Sequence, residues 1–184
     1  MTKLKMLLLC SVALGLTFTT VAHADRYVVA PGAPGANPEL PYDTWAKAAT
    51  NIQLAVDAAS AGETIWVSNG TYKATGAGAV VASVTTMVYI AKDVILRSVN
   101  GPDVTILDGG YPDITNRPVS VNSAGAVFSG FTVVNGYSGR AGGIHIGING
   151  GMVSNCVVCS NISDYALNAG DAKYNGGEIG RAHV

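Results

Sequence analysis

Apolar residues in this chain gather in short runs set apart by glycine, asparagine, aspartate and proline. Thr64–Val67, Met87–Ile90, Val94–Arg97 and Val104–Leu107 each predict a strand, and so do Val119–Val121, Ala126–Phe128, Phe131–Val134, Gly142–Ile148 and Met152–Cys159. Turns are expected between them at Ser68–Thr71, Lys92-Asp93, Asn100-Gly-Pro102 and Asp108-Gly-Gly110. Only Ile52, Ala55, Val56 and Ala59 follow helical intervals. Thr50 and Gln53 ahead of them have the spacing of a capping box and Gly62 supplies a stop, so a helix is expected over Thr50–Ala61. Arg26–Val29 is β-prone, and the prolines at 31, 34, 38 and 41 then exclude regular structure, leaving residues 25–49 as an extended outer segment. Tyr42 and Trp45 are expected to pin that segment to the core. Ala74–Ala82 reads as irregular and Tyr111–Arg117 as a loop pushed outward.

Two of the predicted strands belong to a repeat. Phe128-Ser-Gly-Phe-Thr-Val-Val-Asn-Gly136 superposes on Val153-Ser-Asn-Cys-Val-Val-Cys-Ser-Asn161 after a shift of 25 residues, which sets Phe128 on Val153, Phe131 on Cys156 and Val133 on Val158. Short β-formers closed by Ser/Asn/Gly turns at a fixed period predict coils that stack on one another. The expected helix leads into the first coil, where it can lie across the open strand edges as a cap. Asn135 and Asn161 close matching turns, and their amides are expected to hydrogen-bond along the stacking direction.

Before the first strand the chain reads as a secretory leader. Lys3 and Lys5 precede the apolar run Met6–Leu16, and Ala22-His23-Ala24 offers a cleavage site, so residues 1–24 are expected to be a signal peptide and the protein secreted or displayed at the cell surface. Threonines 17, 19 and 20 interrupt the run before it could span a membrane, and no other span is present. Without the leader the balance is nine bases against twelve acids, a net −3, which argues against nucleic acid as a partner. Charged residues make up 12% of the chain against 23 glycines, a profile that suits thin coils rather than a helical bundle. Cys156 and Cys159 lie three apart on a predicted strand, where they would point to opposite faces, so they are read as small buried thiols rather than a bridge, redox pair or zinc site.

The runs Thr44–Gln53, Ala61-Gly-Glu-Thr-Ile-Trp-Val-Ser-Asn-Gly-Thr-Tyr72, Leu96-Arg-Ser-Val-Asn-Gly-Pro-Asp-Val-Thr-Ile-Leu-Asp-Gly109 and Gly130-Phe-Thr-Val-Val-Asn-Gly136 together resemble the start of bacterial right-handed parallel β-helix proteins of the pectin lyase-like superfamily. The resemblance covers nearly everything from the leader to Gly177. It implies an all-β fold, a right-handed parallel β-helix or solenoid with a short N-terminal capping helix, over residues 50–177 and incomplete at its C-terminus. That superfamily includes polysaccharide lyases, glycoside hydrolases, epimerases and large surface proteins. Residues 178–184, Glu-Ile-Gly-Arg-Ala-His-Val, are what the bases GAG ATC GGA AGA GCA CAC GTC encode, a string resembling a sequencing adapter, and are expected to be a non-native tail.

The candidate chemistry is sparse. Sugar-chain hydrolysis needs two carboxylates across the scissile bond, yet no Asp or Glu occurs between Val119 and Ile162. Asp103, Asp108 and Asp113 form the nearest cluster, each beside Pro or Gly where it builds a turn. Resemblance to calcium-assisted lyases would cast Arg97 as the proton-abstracting base. His145, between Ile144 and Ile146, is expected to point outward alone, and Tyr137-Ser-Gly-Arg140 reads as a mobile loop rather than a phosphate cradle. Asn69-Gly-Thr71 and Asn161-Ile-Ser163 match the glycosylation pattern. No catalytic, cofactor-binding or metal-binding residue is assigned, and no cofactor is expected. The expected function is that of the N-terminal part of a secreted or surface scaffold, or a module binding polysaccharide or surface glycan. The alternative is the front end of a polysaccharide lyase or glycoside hydrolase whose active-site coils lie further on. Self-association through an uncapped C-terminal edge is expected as well.

Overall fold

The computed structural model describes residues 24–81, 83–163 and 179–181. Strands take up 38% of the chain and helices 7%, which places it in the all-β class. The chain opens with β1 (Arg26–Val28), a 3-10 turn at Trp45–Lys47 and helix α1 (Ile52–Ala58). Then come β2 (Thr64–Val67), β3 (Gly70–Lys73), β4 (Ala79–Val81), β5 (Val84–Ile90), β6 (Ile95–Ser98), β7 (Thr105–Asp108) and β8 (Arg117–Val121). The later strands are shorter: β9 (Val127–Ser129), β10 (Thr132–Val134), β11 (Tyr137–Ser138), β12 (Ile144–Ile146), β13 (Met152–Ser154), β14 (Val157–Val158), β15 (Ile162–Ser163) and β16 (Ile179–Arg181).

From β5 onward consecutive strands join different sheets, and each return to a sheet lands one strand further along it. The first sheet runs β1-β2-β6-β9-β13, the second β3-β7-β10-β14, the third β4-β5-β8-β12-β16, and β11 pairs with β15 apart from these. Among the described residues every pairing is parallel except the β4–β5 hairpin. Parallel strands in register place like side chains directly over one another, and alternation sends every second one inward. The inward rows are Ile65-Leu96-Phe128 in the first sheet, Tyr72-Leu107-Val133 in the second and Val88-Val119-Ile144 in the third, all buried. Where the first and second sheets meet, the rings of Phe128 and Phe131 stack with centroids 4.6 Å apart.

The 25-residue repeat is a physical register. Val153 pairs with Phe128 and Val158 with Val133, as the superposition of the two copies predicts. Corners recur at the same interval. Gly130 (φ 86) and Asn155 (φ 48) turn the chain from first sheet to second, and Asn135 (φ 53) and Ser160 (φ 58) turn it out of the second. Glycine and asparagine tolerate this left-handed backbone, so their places in the repeat decide where each strand stops. Asn155 is the reason that Met152–Cys159 forms two strands instead of one. Asn135 and Asn161 do bond along the stack, but to other partners than each other. Asn135 Nδ2 donates to Asp108 3.0 Å away, and Asn161, which falls over Gly136, accepts from Gly136 N–H at 2.8 Å and donates to Val133 O at 2.9 Å.

The helix is shorter than expected and differently capped. Asn51, not Thr50, accepts from Gln53 N–H (2.8 Å) and Leu54 N–H (3.4 Å). This frees the Gln53 side chain to act as a strand surrogate. Its Oε1 accepts from Tyr89 N–H at 2.7 Å and its Nε2 donates to Tyr89 O at 3.2 Å, pairing the exposed side of β5. Lys92 Nζ donates to the carbonyls of Asp57 (3.0 Å) and Ala59 (2.6 Å), where the helix leaves acceptors without partners. Ile52, Ala55 and Val56 are buried beneath it.

Other expectations need correction. Ala74–Ala82 contains strand β4, and Gly70 and Thr71 of the expected turn Ser68–Thr71 instead open strand β3, in which Tyr72 is buried. Arg117 is not the end of an extruded loop: it opens β8 and is buried, as is Asn116. Tyr42 is buried as expected, whereas Trp45 is 44% exposed and packs on Tyr27. The leader expected over residues 1–24 lies outside the described residues apart from Ala24, and of the tail 178–184 only β16 is described. No helix among the described residues is long and apolar enough to cross a membrane.

Replacing Gln53 with leucine strips Tyr89 of both partners while leaving the helix intact, and should cost about 1–3 kcal/mol. Urea unfolding followed by tryptophan fluorescence measures it. An unchanged midpoint would mean that the amide contributes nothing to holding the helix on β5.

Candidate functional site

Side chains that alternate with the inward row of the first sheet form an outward row, Tyr27-Trp66-Arg97-Ser129-Ser154, one residue from each strand. Trp66 faces out because Ile65 and Val67 on either side of it face in. Its indole is held at both ends. Nε1–H donates to Asp25 Oδ2 at 3.0 Å, and the Arg97 guanidinium lies 5.3 Å from the ring centroid, within range of a cation–π attraction. Trp45, on its 3-10 turn, extends the row past β1, with its ring centroid 4.6 Å from that of Tyr27.

Two adjoining hollows lie along this row at the corner leading to the second sheet. One, of about 270 Å³, is lined by Trp45, Ser68, Asn69, Val99 and Asn100. The other, of about 380 Å³, is bounded by Trp66, Arg97, Asn100, Ser129, Gly130 and Asn155 among others. Val99 and Asn100 belong to both. Asn100 Nδ2 donates to Asn69 Oδ1 at 2.8 Å, which fixes two amides at the divide. The surface therefore combines aromatic faces, a guanidinium, amides and hydroxyls, and neither hollow has a carboxylate in its lining. Such a set can stack on a flat apolar face and hydrogen-bond hydroxyls around its edge.

The residues weighed individually in the sequence fare differently. None of Asp103, Asp108 and Asp113 lines the hollow beside Arg97. Asp108 Oδ1 accepts from Gly110 N–H (2.9 Å) and Asn135 Nδ2 (3.0 Å), a turn and a strut to the next strand. His145 is not a lone exposed ring. Register sets it over Ser120, whose Oγ lies 3.0 Å from its Nδ1, and burial together with the Arg117 charge holds its pKa below the usual histidine value. Tyr137 and Ser138 form β11 instead of a mobile loop, and Tyr137 stacks on Tyr111 with centroids 4.7 Å apart. The buried Asn161 amide spends its hydrogen bonds on the backbone of Val133, Gly136 and Cys159, so the folded chain offers no glycosylation site there. Among the described residues no three His, Cys, Asp or Glu side chains gather to hold a metal ion.

Tyr27 and Trp66 were not singled out by sequence reasoning. The row steps by 39, 31, 32 and 25 residues from strand to strand, so no fixed period reveals it. Compared with known proteins, the chain matches no family model, no curated protein and no solved structure.

The two cysteines are free thiols in unlike settings. Cys156 packs against the core, its Sγ donates to Ser154 O at 3.1 Å, and burial pushes its pKa up, while Cys159 is exposed rather than buried as expected. Thiolate is the reactive form, so iodoacetamide should modify Cys159 first and Cys156 only slowly. Peptide mass analysis of timed samples checks this, and equal rates would contradict the packing of Cys156.

Proposed function

We propose that this chain is the N-terminal part of a secreted or surface-exposed right-handed parallel β-helix protein whose outer face binds saccharide. The fold reading is supported by parallel sheets that each take one strand from every successive pass of the chain, and by a helix seated on their first strands. The binding reading rests on one observation, the outward row of Trp45, Tyr27, Trp66 and Arg97 beside two hollows. Sugar rings have apolar faces and hydroxylated rims. Aromatic faces can stack on the former, while Arg97, Asn69, Asn100 and Ser129 offer partners for the latter. Arg97 gives the surface a cation, which favours chains carrying carboxylates.

Cleavage is not the reading this surface supports. Hydrolysis needs a carboxylate pair, and the hollows are lined by none. An Arg97 base of the lyase type would need a metal or acid nearby to steady the developing charge, and its neighbours in the hollow are neutral.

Both tryptophans of the chain lie on the proposed surface, so intrinsic fluorescence reports on it directly. Titration with neutral and uronate-containing oligosaccharides should shift the emission, and uronate chains should bind more tightly at low salt. Trp66→Ala and Arg97→Ala should each weaken binding about tenfold or more without altering the unfolding free energy in urea by more than about 1 kcal/mol. An emission unmoved by every oligosaccharide, or binding that survives the double substitution, would overturn the proposal.

A further inference from the structure

Tryptophan carries one donor and no acceptor, so an indole on an outward face has a single directional bond by which its ring can be fixed. Trp66 gives that bond to Asp25, whose Oδ2 accepts from Nε1–H at 3.0 Å although the two residues are 41 apart in the chain. Register explains the meeting. β1 lies parallel to β2 with Arg26 on Ile65 and Tyr27 on Trp66. Alternation, continued one residue ahead of β1, puts Asp25 on the same outer face as Tyr27. Its carboxylate then approaches Trp66 along the diagonal between neighbouring strands, a span that aromatic side chains can bridge.

Arg26 faces the other way and secures this geometry. It is buried, its guanidinium pairs with Glu63 Oε2 at 2.9 Å, and its Nη1 donates to the carbonyls of Ala24 (2.8 Å) and Asp25 (3.4 Å). Glu63 is tied in turn, its Oε2 accepting from Ser60 N–H at 2.8 Å. The backbone that carries Asp25 is therefore anchored on the inner side of the sheet while the carboxylate stays outside. Trp66 is limited from two directions: Arg97 on the next strand lies 5.3 Å from its ring centroid, and Asp25 holds its nitrogen. An indole without such contacts samples several rotamers, and ordering it would weaken whatever binds there.

We propose that Asp25 is a positioning residue of the saccharide surface, holding the Trp66 indole in one orientation ready for a sugar face; the proposal rests on the saccharide reading of the row. Asp25 lines neither hollow, so it acts through Trp66. The place of leader cleavage then matters. A cut after Ala24 leaves Asp25 as the first residue and keeps the acceptor, whereas a cut one residue further on removes it and frees the ring.

The test uses the full chain carrying Asp25→Ala or Asp25→Asn, since Asn keeps an acceptor oxygen and Ala does not. The chain has two tryptophans, so the indole resonance that disappears in Trp66→Phe is assigned to Trp66. Without ligand, that N–H should shift and exchange faster with water in Asp25→Ala, and both changes should be reversed in Asp25→Asn. Oligosaccharide should bind Asp25→Ala about threefold to tenfold more weakly than the unaltered chain and Asp25→Asn within about twofold of it, with one urea midpoint for all three. The two readouts separate the failures. An unaltered Trp66 N–H in Asp25→Ala overturns the positioning role whether or not any sugar binds, while a shifted N–H with no binding by any of the three proteins shows that Asp25 orients the ring and overturns the saccharide reading instead. Equal affinity of Asp25→Ala and the unaltered chain, an Asn variant as weak as the Ala variant, or an exported protein whose first residue lies beyond Asp25 would each overturn the proposal.

Discussion

One constraint governs this molecule: each strand must lie in register on the strand before it, so that a residue facing inward rests on another facing inward. A slip of one position would turn Leu96 and Phe128 outward and bring Arg97 and Ser129 into the core. The corners prevent such a slip. Gly130 and Asn155 adopt left-handed backbone at matching points of successive passes, and so do Asn135 and Ser160, so every pass starts its strands in phase with the last. Side chains reinforce the phase where they reach across, as Ser154 Oγ does to Ser129 Oγ at 3.1 Å and Asn135 does to Asp108. The inward rows exclude a one-residue slip, and the polar corners make the register more specific still.

Stacking in register leaves the problem of where it begins. Among the described residues the first strands have no preceding strand to pair with, and bare backbone there would recruit other chains. The protein meets this with unlike devices. Gln53 pairs the Tyr89 backbone as a strand would, Lys92 takes the carbonyls at the end of the helix, and β1 bridges through Val28 to Ala49 instead of to another full strand. Arg26 enters the same region with its charge answered by Glu63, whose Oε2 lies 2.9 Å from the guanidinium. This pair is buried, and breaking it from one side would leave a charge in the core, so it serves placement more than net stability.

How much of this could be read in the sequence depended on the kind of evidence each feature leaves. The strands were legible because β-formers alternate with turn residues, and the repeat because Phe128–Gly136 and Val153–Asn161 have the same length. The helix was legible but its cap was not, since Thr50 and Asn51 are both good caps and only the approach to β5 shows that Gln53 is needed elsewhere. Arg117 was missed because Pro112 and Pro118 bracket a loop-like sequence, and a charge inside the core is visible only once Ala141 and Arg140 supply its acceptors. The outward row was hidden for a different reason. Inserts of changing length, the β4–β5 hairpin among them, separate Trp66 from Arg97 by 31 residues and later passes by 25, so neighbours on the surface share no period in the chain.

That difference between inside and outside has a consequence for function. The register demands apolar side chains at inward positions, and those positions vary little in kind: Ile65, Leu96, Phe128, Val153. Outward positions on the same strands answer to no such demand, so Tyr27, Trp66, Arg97 and Ser129 can differ while the backbone under them repeats. A surface built this way is rigid, because every residue on it stands between two buried neighbours, and its chemistry can change strand by strand at little cost to the fold. The same logic explains His145. Ile144 beside it must face inward, and β8 and β12 then hold the ring over Ser120.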